Sequence, residues 1–323
     1  MIKNKKIKVG IIGGAGYTAG ELLRILTYHP HVNIDFVHSD SNQGKPIKNV
    51  HRDFYLIDEK RVFDHMLNPE VDVAFLCVGH NQSKSVLKNV IFSNTTKLID
   101  LSQDHRNSSE NPEFVYGLAD VYPNEIKQAT KIANPGCFAT AIQLGVMPFC
   151  QYVQDDVHVT AITGSTGAGA KLSDTSHFSW RANNLSVYKS FEHQHMNEIC
   201  RGLGLNRNQL QFVPMRGAFT RGILASIYFK SSLNGIEARN LAQAFYHKVE
   251  FVKVSEEESG PDLKSVVNTN YCLLSVKKYG DYLHIISVID NLIKGAVGQA
   301  VQNMNLMFGF DISCGLTLKP IAF

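Results

Sequence analysis

Three features of the sequence predict an α/β fold in two parts. Short apolar strands alternate with helical stretches up to residue 135, a glycine-rich turn joins the first strand to the first helix, and longer strands take over after a helix that begins near Cys137. Alternation of that kind builds a parallel sheet covered on both faces, whereas the later strands read as a mixed or antiparallel sheet.

Ile7-Lys8-Val9-Gly10-Ile11-Ile12 is a short buried strand that runs into Gly13-Gly14-Ala15-Gly16, and Glu21–Leu26 continues as a helix. Val32–Val37 is the second strand, Asp72–Val78 the third and Lys97–Leu101 the fourth, with a helix over Ser83–Phe92. In the second part, Val157–Thr163, Gly222–Phe229, Tyr271–Lys277 and Tyr282–Ile289 read as strands. The stretch from Ser255 to Lys264, with Glu256-Glu257-Glu258-Ser259-Gly260-Pro261, reads as a solvated loop. Ala296–Phe308 has helical periodicity and is expected to pack back on the first domain. The domains are therefore set at 1–135 with 297–323, and 136–296.

A chain of 323 residues is long enough for both. Its 44% hydrophobic and 19% charged content is that of an ordinary soluble globular protein. The net charge of +3 creates no strong field, and the basic start (Lys3, Lys5, Lys6, Lys8) reads as a solubilising terminus, so nucleic acid is not an expected partner. No apolar run approaches a membrane span, and the N-terminus lacks the apolar core of a signal peptide. Cys77, Cys137, Cys150, Cys200, Cys272 and Cys314 are irregularly spaced, which points to a reduced, cytoplasmic protein.

Cys137 stands apart from the other thiols. In Asn134-Pro135-Gly136-Cys137, the proline fixes φ and the glycine opens angles closed to other residues, so the pair makes a tight turn. Behind it Phe138, Ala141, Ile142, Gly145, Val146 and Phe149 recur at helical spacing, with Thr140 and Gln143 interspersed. The thiol thus lies at or just before a helix N-terminus, where unpaired N–H groups and the macrodipole favour a thiolate. A buried cysteine acting as a small hydrophobe is the plainer alternative; the turn favours a nucleophile.

The turn Gly10-x-x-Gly13-x-x-Gly16 follows a strand and opens a helix, the context of a Rossmann-type dinucleotide site. Gly13, Gly14, Ala15, Gly16, Tyr17 and Thr18 are its candidate cofactor residues. Beyond the second strand, Ser39, Ser41 and Lys45 favour the 2′-phosphate of NADP, while Asp40 argues for NAD.

With these two motifs in order, the chain resembles the N-acyl-γ-glutamyl-phosphate reductases of arginine biosynthesis nearly end to end. The resemblance is carried by Gly16-Tyr17-Thr18-Ala19-Gly20-Glu21-Leu22, Asp100-Leu101-Ser102-Gln103-Asp104-His105-Arg106 and Tyr116-Gly117-Leu118. It continues through the cysteine motif, Gly164-Ser165-Thr166-Gly167-Ala168-Gly169, His193-Gln194-His195, Thr220-Arg221-Gly222-Ile223 and Asp290-Asn291-Leu292-Ile293-Lys294-Gly295-Ala296. It implies a Rossmann domain followed by an α+β catalytic and dimerisation domain of the semialdehyde-dehydrogenase type. It also implies a homo-oligomer, dimer or tetramer, that reduces an acyl phosphate with NADPH through a thioester on Cys137, with release of phosphate. By the same resemblance His193 is the acid–base residue, although His195 stays open for that role. Asn134, His195 and Arg106, the last for phosphate, bind the substrate; Arg216 or Arg221 holds its α-carboxylate. Gly167, Ala168 and Gly295 approach the cofactor. No metal is expected, although His193, His195 and Glu198 also have the chemistry of a zinc set.

The pattern departs from the family at Gln194, usually Arg, at Asn197, usually Pro, and over Val213–Phe219. The added Arg216 could pair with a further carboxylate, so an N-succinyl substrate is an alternative to the N-acetyl one. Aspartate-semialdehyde dehydrogenase, with the same thioester chemistry, is the other enzyme alternative. A catalytically dead nucleotide-binding regulator need not retain Cys137, His193 and Arg106 together.

Overall fold

Val9–Ile12 form a run of four buried residues at the end of strand β1 (Ile7–Ile12), as befits a strand covered on both faces. The computed structural model describes residues 6–107, 109–256 and 260–321; Lys3, Lys5, Glu257, Glu258 and Ser259 lie outside the described residues. Around β1, strands β2 (Val32–His38), β3 (Val73–Leu76), β4 (Lys97–Asp100), β5 (Val115–Tyr116) and β6 (Lys131–Ala133) form one sheet in the order β2-β1-β3-β4-β6-β5. Every pairing in it is parallel. The order reverses at β1, so the turn that follows β1 lies at a topological switch point, where open sheets of this kind take ligands.

Helices α1 (Tyr17–Leu26), α2 (Ser83–Asn89) and α3 (Pro123–Gln128) connect these strands. Ile12, Phe36, Ala74, Leu76 and Leu98 come from four different strands into one apolar cluster, with Val86 and Leu87 of α2 packed against it. The late helix Gly298–Phe308 belongs to the same unit and packs on α3, α1 and β4. Its Asn303 Nδ2 donates to Gly117 O at 2.9 Å and to Asn134 Oδ1 at 3.0 Å, so long-range polar contacts fix its seat.

The second sheet is mixed: β7 (Val157–Thr163), β8 (Ser186–Val187), β9 (Leu210–Arg216), β10 (Ile223–Lys230), β11 (Val252–Val254), β12 (Cys272–Tyr279) and β13 (Tyr282–Ile289) in the order β11-β12-β13-β10-β7-β9-β8. β7 and β9 are parallel, as are β11 and β12, and the remaining pairs are antiparallel. Helix α4 (Cys137–Val146) lies against β10 and β13. It is buried all round rather than along one stripe, because Thr140 and Gln143 are covered as well as its apolar residues. Two hydrogen bonds from distant residues pin it, Ser287 Oγ to Ala141 O at 2.8 Å and Tyr246 Oη to Leu144 O at 2.6 Å. Past Val146 the chain tightens into a 3₁₀ turn over Met147–Tyr152, where Pro148 cannot supply an α-helical N–H. Helices α5 (Phe178–Arg181), α6 (Met196–Leu203) and α7 (Gly235–Phe245) complete this unit.

The chain divides into two compact units, Met1–Pro135 with Ala296–Thr317, and Gly136–Gly295 with Leu318–Phe323. The terminal segment groups with the second unit, although the sequence division carries the first domain through to residue 323. Ile321 N donates to Val267 O at 3.1 Å and Asn268 Nδ2 to Lys319 O at 3.3 Å, contacts that no local periodicity announces. Two of the crossings between the units fall inside sequence motifs, at Pro135–Gly136 and Gly295–Ala296. Among the described residues no helix is long and apolar enough to cross a membrane.

Candidate active site

In the first unit the glycine turn is tied to the end of β2: Gly13 N and Gly14 N both donate to His38 O, at 3.0 and 2.8 Å. Gly13 has φ +83°, and a Cβ there would stand 2.6 Å from Cys77 O, so the turn admits only glycine. Gly10 has a different role from the one its place in the motif implies, since a Cβ would meet the Phe36 ring at 2.3 Å; it is a packing residue. Gly16 caps α1 with extended backbone and no capping side chain, and a Cβ there would meet Gly13 O and Thr18 Oγ1 only at 3.9 Å. A helix start with no capping side chain, behind a glycine turn, fits a pyrophosphate. Tyr17 is exposed, while the Thr18 hydroxyl bonds the buried Cys77 thiol, whose pKa desolvation pushes up to about 12.

Ser39, Ser41 and Lys45 come together in a short ordered loop. The Asn42 amide donates to Ser39 Oγ (3.2 Å) and Ser41 Oγ (3.0 Å), and Lys45 Nζ to Ser41 O (3.2 Å). Elsewhere in this unit Asp100, at the end of β4, accepts from Ser83 Oγ, Ser102 N, Ser102 Oγ and His105 Nδ1 at 2.6–3.0 Å. This network shapes the turn that carries Arg106. The Arg106 guanidinium donates from Nε to Asn134 O (2.9 Å) and from Nη2 to Leu101 O (3.1 Å). The Asn134 amide is itself engaged within the unit, donating to Ala296 O and accepting from Asn303, both at 3.0 Å. As a result Asn134 holds the backbone ahead of the cysteine, and its side chain is already in use where a substrate contact was expected.

In the second unit Cys137 is the first residue of α4. Gly136 caps the helix with φ −73° and ψ 151°, no side chain caps it, and no acid stands in its first turn. Gly136 N donates to the buried Glu198 Oε2 at 3.1 Å. A Cβ on Gly136 would lie 2.3–2.6 Å from three atoms of the His195 ring. Gly136→Ala is therefore expected to displace His195 or the cysteine turn, lowering kcat/KM by about 100-fold and stability by about 1–3 kcal/mol. Steady-state kinetics with a thermal melt check this, and a fully active, equally stable variant would disprove the packing argument. A Cβ on Gly295 would come 2.7 Å from Cys137 Cβ, so Gly295 lies against Cys137.

The two histidines are buried and perpendicular, their ring centroids 4.6 Å apart. His193 Nδ1 accepts from His195 N at 3.2 Å, and the ring is caged edge-on by Phe138, Tyr188 and Phe212. His195, in contrast, lies over Gly136 with Nε2 4.0 Å from Glu198 Oε1. Tyr188 joins Cys137 to this group. Its pKa is pushed up to about 12, first by burial and then by the negative charge of Cys137, so it stays a neutral phenol through the ordinary assay range. Between Tyr188 and His193, Lys189 and Phe191 adopt left-handed backbone (φ 47° and 61°), strain of the kind that collects at functional sites.

The two arginines considered for the substrate carboxylate differ sharply. Arg221 is paired with the fully buried Asp290, Nε to Oδ2 at 3.1 Å and Nη2 to Oδ1 at 3.3 Å. Asp290 also accepts from Asn268 N, Leu292 N and Ile293 N at 2.8–2.9 Å. Arg216 has its guanidinium over the Tyr188 ring, 4.5 Å from the centroid, and its Nε is buried with no hydrogen-bond partner. Arg181, also buried, donates to Arg216 O (2.8 Å), Thr175 O and Ser186 Oγ (3.0 Å), and its pKa is lowered by burial and by Arg216. The loop with Gly167 and Ala168 is stitched to residues 219–222 by Gly164 N, Ser165 N and Thr166 N, and Asn291 Nδ2 reaches Thr166 Oγ1 at 3.0 Å.

Tyr188, Arg181, Glu198 and Asp290 are the residues whose part sequence reasoning missed. Asp290 stood inside a recognised motif, and Glu198 stood three residues after His195. Neither position announced a partner.

Residues 8–129 match the model of the semialdehyde dehydrogenase NAD-binding domain, and residues 137–291 that of the semialdehyde dehydrogenase dimerisation domain. The N-acetyl-gamma-glutamyl-phosphate reductase of Christiangramia forsetii is 51% identical, with 97% of this chain and 98% of that protein aligned. This chain belongs to the N-acetyl-γ-glutamyl-phosphate reductase family of semialdehyde dehydrogenases. The protein of the same name from Flavobacterium johnsoniae is 50% identical, covering 98% of this chain and all (100%) of that one. Among solved structures, aspartate semialdehyde dehydrogenase II of Vibrio cholerae complexed with ASA superposes with a TM-score of 0.72 at 15% identity, over 94% of this chain and 99% of that one. That likeness establishes the shared fold.

Proposed function

We propose that the chain is an NADPH-dependent oxidoreductase that converts N-acetyl-γ-glutamyl phosphate to N-acetyl-glutamate 5-semialdehyde and phosphate, in the cytoplasm, for arginine biosynthesis. The observation that carries this reading is Cys137 at the uncapped start of α4 in the same unit as caged His193, in a chain about half identical, end to end, to reductases of that name. The N-acetyl substrate is favoured over the N-succinyl one by those names.

His193 takes the thiol proton, and the Cys137 thiolate attacks the γ-carbonyl carbon. A C–S bond forms, the C–O bond to phosphate breaks, and phosphate leaves with its electron pair, giving a thioester. The turn Gly13–Thr18 and the loop Ser39–Lys45 would hold the dinucleotide in the first unit, with Gly167, Ala168 and Gly295 assigned to its nicotinamide end. A bound dihydronicotinamide supplies the hydride that reduces the thioester. His193 protonates the resulting oxyanion and retrieves that proton as the C–S bond breaks and the aldehyde departs. Arg106 is assigned to the departing phosphate.

Arg216, rather than Arg221, is assigned to the α-carboxylate, because its Nε lacks a partner whereas Arg221 is already paired with an acid. Arg216→Ala should therefore lower kcat/KM about 10- to 100-fold, mainly through KM, whereas Arg221→Ala should act mainly on stability. A stable Arg216 variant with unchanged KM would return the role to Arg221.

The decisive experiment runs the reaction backwards, following phosphate-dependent NADP⁺ reduction with N-acetyl-glutamate semialdehyde and with aspartate semialdehyde. Activity on the aspartyl compound alone would overturn the assignment. The match of the second unit to a dimerisation domain supports a homo-oligomer, dimer or tetramer, which light scattering would separate.

A further inference from the structure

The acid beyond β2 is the one feature of the glycine-turn region that conflicts with NADPH. Asp40 stands two residues past the end of β2, the position from which a carboxylate holds the ribose hydroxyls of NAD and repels a 2′-phosphate. Its side chain is 96% exposed, and yet it is held, with Oδ1 3.0 Å from His38 Nε2. The other ring nitrogen, His38 Nδ1, lies 2.9 Å from Asp64 O. Both ring nitrogens thus lie within hydrogen-bonding distance of an oxygen, which fixes the ring between Asp40 and the Asp64 carbonyl. His38 is the same residue whose carbonyl receives Gly13 N and Gly14 N. One side chain thus ties the acid to the base of the glycine turn, while Ser39, Ser41, Asn42 and Lys45 are knit together beside it.

We propose that His38 sets the nucleotide preference of this chain by restraining Asp40 through this contact, which leaves the Ser39–Lys45 loop to receive the 2′-phosphate. Freed from His38, Asp40 favours the 2′-hydroxyl of NAD and disfavours NADP. Asp40 is the specificity-determining residue and His38 the residue that positions it. The proposal rests on the reading of the glycine turn as a dinucleotide site.

The test is calorimetric titration of NADP⁺ and NAD⁺ into the full chain and into His38→Gln, Asp40→Asn and the double variant. His38→Gln should weaken NADP⁺ by about tenfold with NAD⁺ unchanged or tighter. Asp40→Asn should tighten NADP⁺ and weaken NAD⁺, and in that background His38→Gln should cost NADP⁺ nothing. A tenfold loss in both backgrounds would show that His38 acts only through the turn and would overturn the proposal. So would an unaltered NADP⁺/NAD⁺ ratio in Asp40→Asn, a surface substitution that leaves the fold intact. Binding of neither nucleotide by the unaltered protein would instead remove the dinucleotide reading itself, and this inference with it.

Discussion

Cys137→Ser should lower kcat by about 10⁴-fold or more while leaving the Kd for NADPH within about twofold. A serine hydroxyl is of similar size but stays protonated at neutral pH, so the uncapped start of α4 has no thiolate to stabilise. Cys137 is half-buried, whereas Cys77, Cys200 and Cys272 are buried, so an alkylating reagent should modify Cys137 ahead of those three. Saturating acyl phosphate should protect it. A variant that loses cofactor affinity together with turnover would point to a structural thiol. Burst kinetics, with phosphate released before aldehyde, would identify the thioester directly.

Asp290→Ala should destabilise the protein by about 3–5 kcal/mol, because it leaves the half-buried Arg221 guanidinium without its acid. It also strips the acceptor from Asn268 N, Leu292 N and Ile293 N. Those last two bonds hold the entry to the π-helical turn Ile293–Val297, and Gly295 N is closed back onto Asp290 O at 2.9 Å. Gly295 lies against Cys137, so catalysis should fall as well, even at temperatures where the variant remains folded. Urea unfolding followed by fluorescence measures the first effect as a shifted midpoint at unchanged slope. A double variant, Asp290→Asn with Arg221→Gln, should lose less than the sum of the single losses, since neither partner is then left as an unpaired charge. Additive losses would mean that the pair is not the source of the stability.

Much of the fold was legible along the chain. β7 and β13 have the bounds that their apolar runs predict, and β1 runs into its glycine turn as expected. These segments carry enough consecutive or alternating apolar residues to signal themselves. β5 and β6 do not, at two and three residues each. β9 is concealed by Pro214, which pairs with Ala161 of β7 in the parallel register despite lacking an N–H. In the site, the cysteine turn and the placement of its helix are local consequences of Pro135 and Gly136, and they stand in the structure as the residues imply.

The division of labour among the charged groups was not legible. Arg221 lies in the better-matched motif, but its partner Asp290 is 69 residues away. Glu198 meets the cysteine turn across 62 residues, and Ala296 O takes the Asn134 amide across 162. The sequence by itself determined the family, the glycine turn after β1 and the turn that sets Cys137 at the start of α4, because these depend on backbone preferences and residue chemistry over a few neighbouring positions. Only the tertiary structure decided which arginine keeps an unpartnered nitrogen, which histidine presses on the turn, and which glycine of the motif is there for packing. Each of those answers depends on which distant group is within about 3 Å, and periodicity along one chain carries no record of that.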